Sequence, residues 1–224
     1  MENEFDKTLN FEFIIQIYKL GIFPMAKDRH DKKVYFINPK KRALMPIREF
    51  HVPKSFKRFL KKKPFFVTIN SNFREIINKC ATENRSETWI NKIIEDKFNE
   101  LHELGIAHSI ECWKNNEIVG GIYGISIGGC FFAESMFSKV SNASKFALIN
   151  LVARLHYLNY SILDIQFINQ HLRQFGAYEV SQNIFKKKLA MCIDKKINFQ
   201  SLSVEDEDLF ENVLNFLQDI NETS

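Results

Sequence analysis

Glycine and proline are scarce in this chain of 224 residues, at 8 and 5. All the prolines, Pro24, Pro39, Pro46, Pro53 and Pro64, lie early in the sequence. They cut the N-terminal part into short pieces and leave the rest free to form regular elements. The four cysteines, Cys80, Cys112, Cys130 and Cys192, show neither C-x-x-C nor zinc-like spacing. With no signal peptide in view, they read as reduced thiols and the expected location is cytoplasmic. No apolar run approaches the about 20 residues of a membrane-spanning helix, and no internal repeat points to a solenoid. Charge of one sign is also lacking. A net charge of +4 and a pI near 8.8 do not by themselves call for nucleic acid. What is plentiful is phenylalanine, at 22 residues, within a hydrophobic content of 45% that is ample for a sizeable core.

The pattern predicts a helix near 8–20, ended by Gly21. After Pro64 it predicts a strand (65–69), helices at 71–81 and 88–104, and strands at 107–113, 117–125 and 130–137. A long helix (143–158), a strand (161–166), a helix (168–175) and a strand (177–181) follow. Gly128-Gly129 is a two-residue hairpin signal. An antiparallel meander followed by helix–strand–helix–strand indicates an α+β layer fold of acyltransferase type. A small N-terminal domain at 1–38 precedes the main domain at 39–195. The acidic tail at 196–224 carries Leu209, Phe210, Val213, Leu214, Leu217 and Ile220 at helical spacing, as a docking helix would.

Polar groups inside apolar strands are costly to bury without a purpose, and they point to an enzyme. Glu134 follows Phe131-Phe132-Ala133 in a strand. It reads as a carboxylate in an apolar cleft, orienting other groups or binding a cation, or else as a paired structural carboxylate. Asp164 and Gln166 alternate with Leu163, Ile165 and Phe167, which places both on one strand face. Asn169 lies at that strand's end. Lys54, Lys57, Arg58, Lys61 and Lys62 share one helical face, with Phe56, Phe59 and Leu60 on the packed side. Such a face suits a phosphate backbone, or is simply solvated. Ser141 or Asn142 is a candidate N-cap for the long helix, whose free N–H groups form either an anion site or an ordinary cap. Trp89, Trp113, Phe131, Phe132, Met136 and Phe137 fit a core better than a ligand box. His108 reads as structural, His171 is open, and neither has metal-ligand spacing.

Taken together, these residues resemble a known family. Tyr18-Lys-Leu-Gly-Ile-Phe-Pro-Met25, Thr88-Trp-Ile90, Leu101 to Glu111, Val119-Gly-Gly-Ile-Tyr-Gly124, Glu134-Ser-Met-Phe-Ser138, Asn142-Ala-Ser-Lys145, Asp164-Ile-Gln166, His171-Leu172 and Gly176-Ala177 stand in its order and spacing. The chain is similar to leucyl/phenylalanyl-tRNA–protein transferases over roughly residues 10–190. The resemblance implies a small N-terminal domain and a GNAT-like catalytic domain. The implied reaction is transfer of Leu or Phe from aminoacyl-tRNA to a protein's N-terminal Arg or Lys, marking it for degradation. No metal or separate cofactor is implied. Asp164, Gln166 and Asn169 would surround the reacting ester, with Glu134 supporting them. Trp89, Ile122, Phe131 and Leu163 would line the aminoacyl-adenosine pocket, and Lys54, Lys57, Arg58, Lys61 and Lys62 would bind tRNA. Departures from the family pattern fall at Ala133, Met25 and Tyr35-Phe36. Alternative readings are an aminoacyl-tRNA-dependent ligase with another acceptor (N-terminal Asp or Glu, or a cell-wall peptide), a GNAT small-molecule N-acetyltransferase, and a non-catalytic RNA-binding module.

Overall fold

The computed structural model describes residues 9–83, 86–201 and 213–220. The chain opens with α1 (Phe11–Lys19), whose N-cap Asn10 accepts a hydrogen bond from the Phe13 N–H at 2.8 Å. This helix buries Ile14, Ile17 and Tyr18. A two-stranded antiparallel ribbon, β1 (Phe23–Met25) and β2 (Tyr35–Ile37), follows. Next come β3 (Lys41–Met45), α2 (Lys54–Leu60), β4 (Phe66–Ile69), α3 (Phe73–Thr82) and α4 (Lys92–Glu103). The central meander is β5 (Ala107–Lys114), β6 (Glu117–Ile127) and β7 (Cys130–Ser138). Then come α5 (Ala143–Tyr157), β8 (Ile162–Gln166), α6 (Gln170–Arg173), β9 (Tyr178–Ser181) and α7 (Gln182–Ala190). Residues 213–220 form a further helix, α8. Residues 202–212, the rest of the expected tail helix, lie outside the described residues.

The main sheet has the order β4-β5-β6-β7-β8-β3-β9. Every neighbouring pair is antiparallel except β7–β8, which is parallel. The core divides into two clusters. One holds α5 and the buried side of α2, the other α1, α3, α4 and α7. Helix α5 is buried on nearly all sides, as its apolar sequence Phe146–Leu155 requires. The hairpin between β6 and β7 turns on Gly128-Gly129, pairing Ile127 with Cys130. Gly128 has φ +59°, and a Cβ there would sit 1.9 Å from the Ile193 carbonyl oxygen, so only glycine fits.

Three elements differ from the sequence expectation. β3 sits between β8 and β9, although its sequence KRALM reads as a charged lead-in to an apolar stub. α7 was not expected from its lysine-rich sequence. It buries only Phe185 and Leu189, too few apolar positions to mark a helical period. α2 ends at Leu60, so Lys61 and Lys62 lie beyond it, Lys61 as C-cap, and Lys63 turns left-handed at φ +46°. Only Lys54, Lys57 and Arg58 of the basic set are therefore helical.

The decisive topological feature is how β7 and β8 part. Their ladder pairs Cys130 with Ile162, Phe131 with Leu163 and Phe132 with Asp164, and then stops, while β7 runs on to Ser138. Each strand is also bulged at this point. Gly124 faces Ala133 and Tyr123 faces Ser135, which leaves Glu134 as the extra residue of β7. Ala43 faces Gln166 and Leu44 faces Asp164, which leaves Ile165 as the extra residue of β8. A bulge re-aims the side chains around it. Two of them at the mouth of the parted pair open a cavity between the strands.

Candidate active site

That cavity holds about 310 Å³. Its walls are Trp89, Ile122, Ala133, Met136, Leu148, Ile165, Phe167 and Leu172, with Glu134, Ser135, Gln166 and Asn169 as polar members. Of the expected pocket residues, Trp89 and Ile122 line it. Phe131 and Leu163, each 1% exposed, lie in the core and not on the cavity wall.

The expected alternation fails at the end of β8. Gln166 has φ +60°, and the Phe167 N–H donates to the Ile165 carbonyl at 2.7 Å, closing a three-residue turn centred on Gln166. Ile165 and Gln166 therefore both border the cavity, and Asp164 does not. A glutamine held left-handed is a strained arrangement that surrounding contacts must maintain. Asp164 supplies one of them, accepting from the Gln166 backbone N–H at 2.9 Å. Asp164 thus acts on the Gln166 backbone rather than polarising its amide.

Asp164 is itself completely buried. Arg42, 1% exposed, clamps it: Nε donates to both carboxylate oxygens at 2.9 and 2.8 Å, and the second terminal nitrogen donates to Oδ2 at 2.6 Å. The remaining arm of Arg42 donates to the Gly21 carbonyl at 3.0 Å. The guanidinium lies 4.5 Å from the Phe23 ring and 4.7 Å from the Phe185 ring, a cation held between two aromatic faces. Gly21 sits at φ +77°, with its Cα against Phe185, so the turn that presents this carbonyl depends on glycine. Burial pushes the Asp164 pKa up, and the Arg42 charge and hydrogen bonds oppose that push.

Glu134 is the site's other buried carboxylate. Its Oε1 accepts from Tyr18 Oη at 2.7 Å and from Gln166 Nε2 at 2.9 Å, while Oε2 has no hydrogen-bond partner among the described residues. Burial raises its pKa to about 7, against the two hydrogen bonds that favour the charged form. Tyr18 is fully buried and its pKa is raised well above the usual phenol value, first by burial and then by Glu134, so it stays a donor. The two donations orient the Gln166 amide: with Nε2 committed to Glu134, Oε1 is the end left to accept. Sequence reasoning missed Tyr18 as a site residue and Arg42 altogether. Tyr18 lies 116 positions from Glu134 and Arg42 lies 122 from Asp164, separations that carry no spacing signal.

Glu134 carries a pH prediction. Its folded pKa of about 7 lies above the ordinary glutamate value of 4.5, so the folded protein binds the extra proton between about pH 4.5 and 7. The resulting contribution is full below about pH 4.5 and is lost as pH rises through about 7, amounting to about 3 kcal/mol for a buried group shifted this far. Denaturant titrations across pH 5–9 are expected to show this decline in the parent and not in Glu134→Gln. Equal pH profiles would show that Glu134 does not titrate in this window.

The other expected polar residues are also placed. Asn169 caps α6, accepting from the Leu172 N–H at 2.8 Å, and borders the cavity. At the α5 N-terminus, where an anion site and an ordinary cap were the two readings, protein groups take up much of the space. Asn142 is the N-cap at φ +70° without a side-chain cap bond, Ser138 Oγ takes the Ser144 N–H at 3.2 Å, and Ala143 packs on Gly120. His108 is buried, stacks on Phe199 at 4.3 Å, and has its pKa lowered to about 3 chiefly by burial. His171 is exposed at the start of α6. Among the described residues no group of three or more His, Cys, Asp or Glu side chains could hold a metal ion. None of the described helices is long and apolar enough to cross a membrane.

Comparison with known proteins identifies the family. The family described as Leucyl/phenylalanyl-tRNA protein transferase matches residues 44–190. A leucyl/phenylalanyl-tRNA–protein transferase of Paramagnetospirillum magneticum is 43% identical over 186 residues, covering 82% of this chain and 89% of the relative. One of Phenylobacterium zucineum is 44% identical over 191 residues, covering 84% and 86%. One of Zymomonas mobilis is 46% identical over 182 residues, covering 80% and 68%. A match spanning Glu134, Asp164 and Gln166, at this identity and coverage, leaves one conclusion: the chain belongs to the leucyl/phenylalanyl-tRNA–protein transferase family.

Proposed function

We propose that this protein transfers leucine or phenylalanine from aminoacyl-tRNA to the N-terminal α-amine of proteins beginning with Arg or Lys, marking them for degradation. The observation that carries the reading is the Gln166 amide, oriented by Glu134 so that its oxygen is the free acceptor at an apolar cavity. The attacking group is the acceptor's amine. At pH 7.5 an α-amine of pKa about 7.8 is roughly one-third neutral, so no strong base is required. Gln166 Oε1 accepts a hydrogen bond from that amine and aims its lone pair at the ester carbonyl. The new C–N bond forms, the C–O bond to the ribose breaks, and the amine's proton ends on the ribose hydroxyl. Positioning supplies most of the acceleration.

The apolar walls, Trp89, Ile122, Met136, Leu148 and Ile165 among them, receive the aminoacyl side chain. An apolar pocket discriminates weakly between shapes that both fit, which accounts for a choice of Leu and Phe. The unpartnered Oε2 of Glu134 supplies negative charge for a cationic acceptor residue. The protein-filled start of α5 favours this reading over a small-molecule acetyltransferase, which needs an open helix N-terminus for pyrophosphate. We read residues 39–195 as a GNAT-like domain following a small 1–38 domain, supported by the parallel β7–β8 pair that parts at the site.

Transfer of labelled amino acid tests the reading. Charged tRNA carrying Leu, Phe or Arg is offered with peptides that differ only at the N-terminus. Leu and Phe are expected to move to peptides starting with Arg or Lys. Preference for Arg-tRNA, or for acceptors starting with Asp or Glu, would overturn the donor or the acceptor assignment.

Lys54, Lys57 and Arg58 on α2, with Lys61 and Lys62 just beyond it, supply the tRNA charge contacts. The buried face of α2 meets Phe175 through Phe56, and the Phe175 N–H donates to the carbonyl of the cavity-lining Leu172 at 3.1 Å. Neutralising all five is expected to weaken tRNA binding and flatten its salt dependence by about 0.7–0.9 in slope per lost phosphate contact. A salt titration superimposing on the parent's would reduce this stretch to a solvated surface.

A further inference from the structure

A second cavity of about 390 Å³ lies at the other end of β8 from Gln166. Ile162 and Leu163, the first residues of β8, form its floor with Leu44 and Met45 of β3. Three cations line it, each from a different stretch of chain: Arg48 from the β3–α2 loop, Lys188 from α7, and Lys195 beyond α7. The Ser161 hydroxyl accepts from Lys195 Nζ at 2.8 Å, which fixes that ammonium on the rim. Tyr178 adds a hydroxyl to the lining, and Glu49 is its one carboxylate. Among the described residues Arg48 and Lys188 pair with no carboxylate. The cavity thus gathers three positive charges against one negative.

We propose that this cavity is a phosphate-binding cleft that receives the sugar–phosphate backbone of the tRNA. The inference rests on the aminoacyl-tRNA reading of the first cavity. Like charges brought together on a fold repel one another, and an anion that neutralises them binds with the release of its own counterions. Hydroxyl donors beside the cations suit phosphate oxygens, which accept several hydrogen bonds at once. Position favours RNA over a free anion. β8 is five residues long, so the cleft and Gln166 lie about 13 Å apart at about 3.3 Å per residue. A stacked nucleic-acid strand carries one phosphate per about 3.4 Å of axis. Because β8 is buried inside the sheet, an RNA with its terminal ester at Gln166 reaches the cleft around the outside of the sheet, a longer path that further nucleotides of the same strand span. The cleft uses no residue of α2, so it forms a second, separate charge contact with the same RNA.

The test compares the parent with Arg48→Ala/Lys188→Ala/Lys195→Ala, using two donors. One is full-length Leu-tRNA. The other is leucyl-adenosine, which carries the ester and no phosphate. The variant is expected to bind uncharged tRNA at least tenfold more weakly at low salt, with a salt slope shallower by about 2, or about 0.7 for each lost contact. Its kcat/KM with Leu-tRNA falls in step, while its kcat with leucyl-adenosine equals the parent's. Loss of activity with leucyl-adenosine as well would mean a damaged fold, and Lys188→Gln, a milder exposed change, then decides by its tRNA salt slope. An unchanged slope overturns the proposal. A third arm measures inorganic phosphate as a thermal stabiliser. If it protects the parent but not the triple variant, while tRNA affinity is the same in both, the cleft takes a free anion and the RNA assignment is wrong. A parent that transfers from neither donor would overturn the functional reading itself.

Discussion

Gln166→Ala is expected to lower kcat for aminoacyl transfer by about 100-fold or more, with little change in tRNA affinity. That is the size of effect produced by losing one positioning or electrostatic contact at a reacting centre. The residue lies at the end of a tightly specified chain of contacts. Tyr18 and Gln166 both donate to Glu134 Oε1, and the Gln166 backbone donates to Asp164. Alanine removes the side-chain amide and leaves the backbone bond in place. Gln166→Glu separates orientation from mere presence. It keeps the length and an oxygen, but it loses the Nε2 donor and sets a second carboxylate beside Glu134. It is expected to be nearly as impaired as the alanine variant at neutral pH and to recover partly where one of the two carboxyls is protonated. Single-turnover transfer of labelled leucine is the measurement. Near-parental rates in both variants would remove Gln166 from the mechanism.

Arg42→Met is expected to cost about 3–5 kcal/mol of stability, because it leaves Asp164 buried and charged without its partner. It should also abolish measurable transfer. The companion variant Arg42→Met/Asp164→Leu removes both charges at once. Replacing a buried ion pair by apolar residues of similar volume is often neutral for stability, so this double variant should regain much of the lost melting temperature. It should not regain transfer, since the Gln166 N–H has lost the oxygen that holds it at φ +60°. Calorimetry and transfer assays on the same preparations distinguish the two roles. Activity returning together with stability would make Arg42–Asp164 a structural pair with no share in positioning the site.

Much of the architecture was legible because it follows from short-range pattern. The meander of β5 to β7, the Gly128-Gly129 turn, helix α5 and strand β8 all fall within a few residues of where apolar periodicity and turn chemistry put them. Glu134, Asp164 and Gln166 were legible for a related reason: each is a polar residue in a run that otherwise belongs to a core. Elements whose apolar share is small were not. β3 and α7 look like basic surface in the sequence, yet β3 is an inner strand of the sheet and carries the fully buried Arg42.

The sequence by itself determined the family, the α+β make-up and the presence of Glu134, Asp164 and Gln166 as polar residues in apolar strands. Tertiary structure alone decided what those residues do to one another. Strand alternation puts Asp164 and Gln166 on one face, but the bulge at Ile165 and the turn at Gln166 send one into the core and the other to the cavity. A bulge is set by how two strands come to register, and neither strand's own sequence encodes that. The partners that give the carboxylates their roles, Tyr18 and Arg42, come from the N-terminal part of the chain. Folding brings them to the parted strands from more than a hundred residues away. At that separation a tyrosine and an arginine carry no mark in the sequence of the acids they will meet.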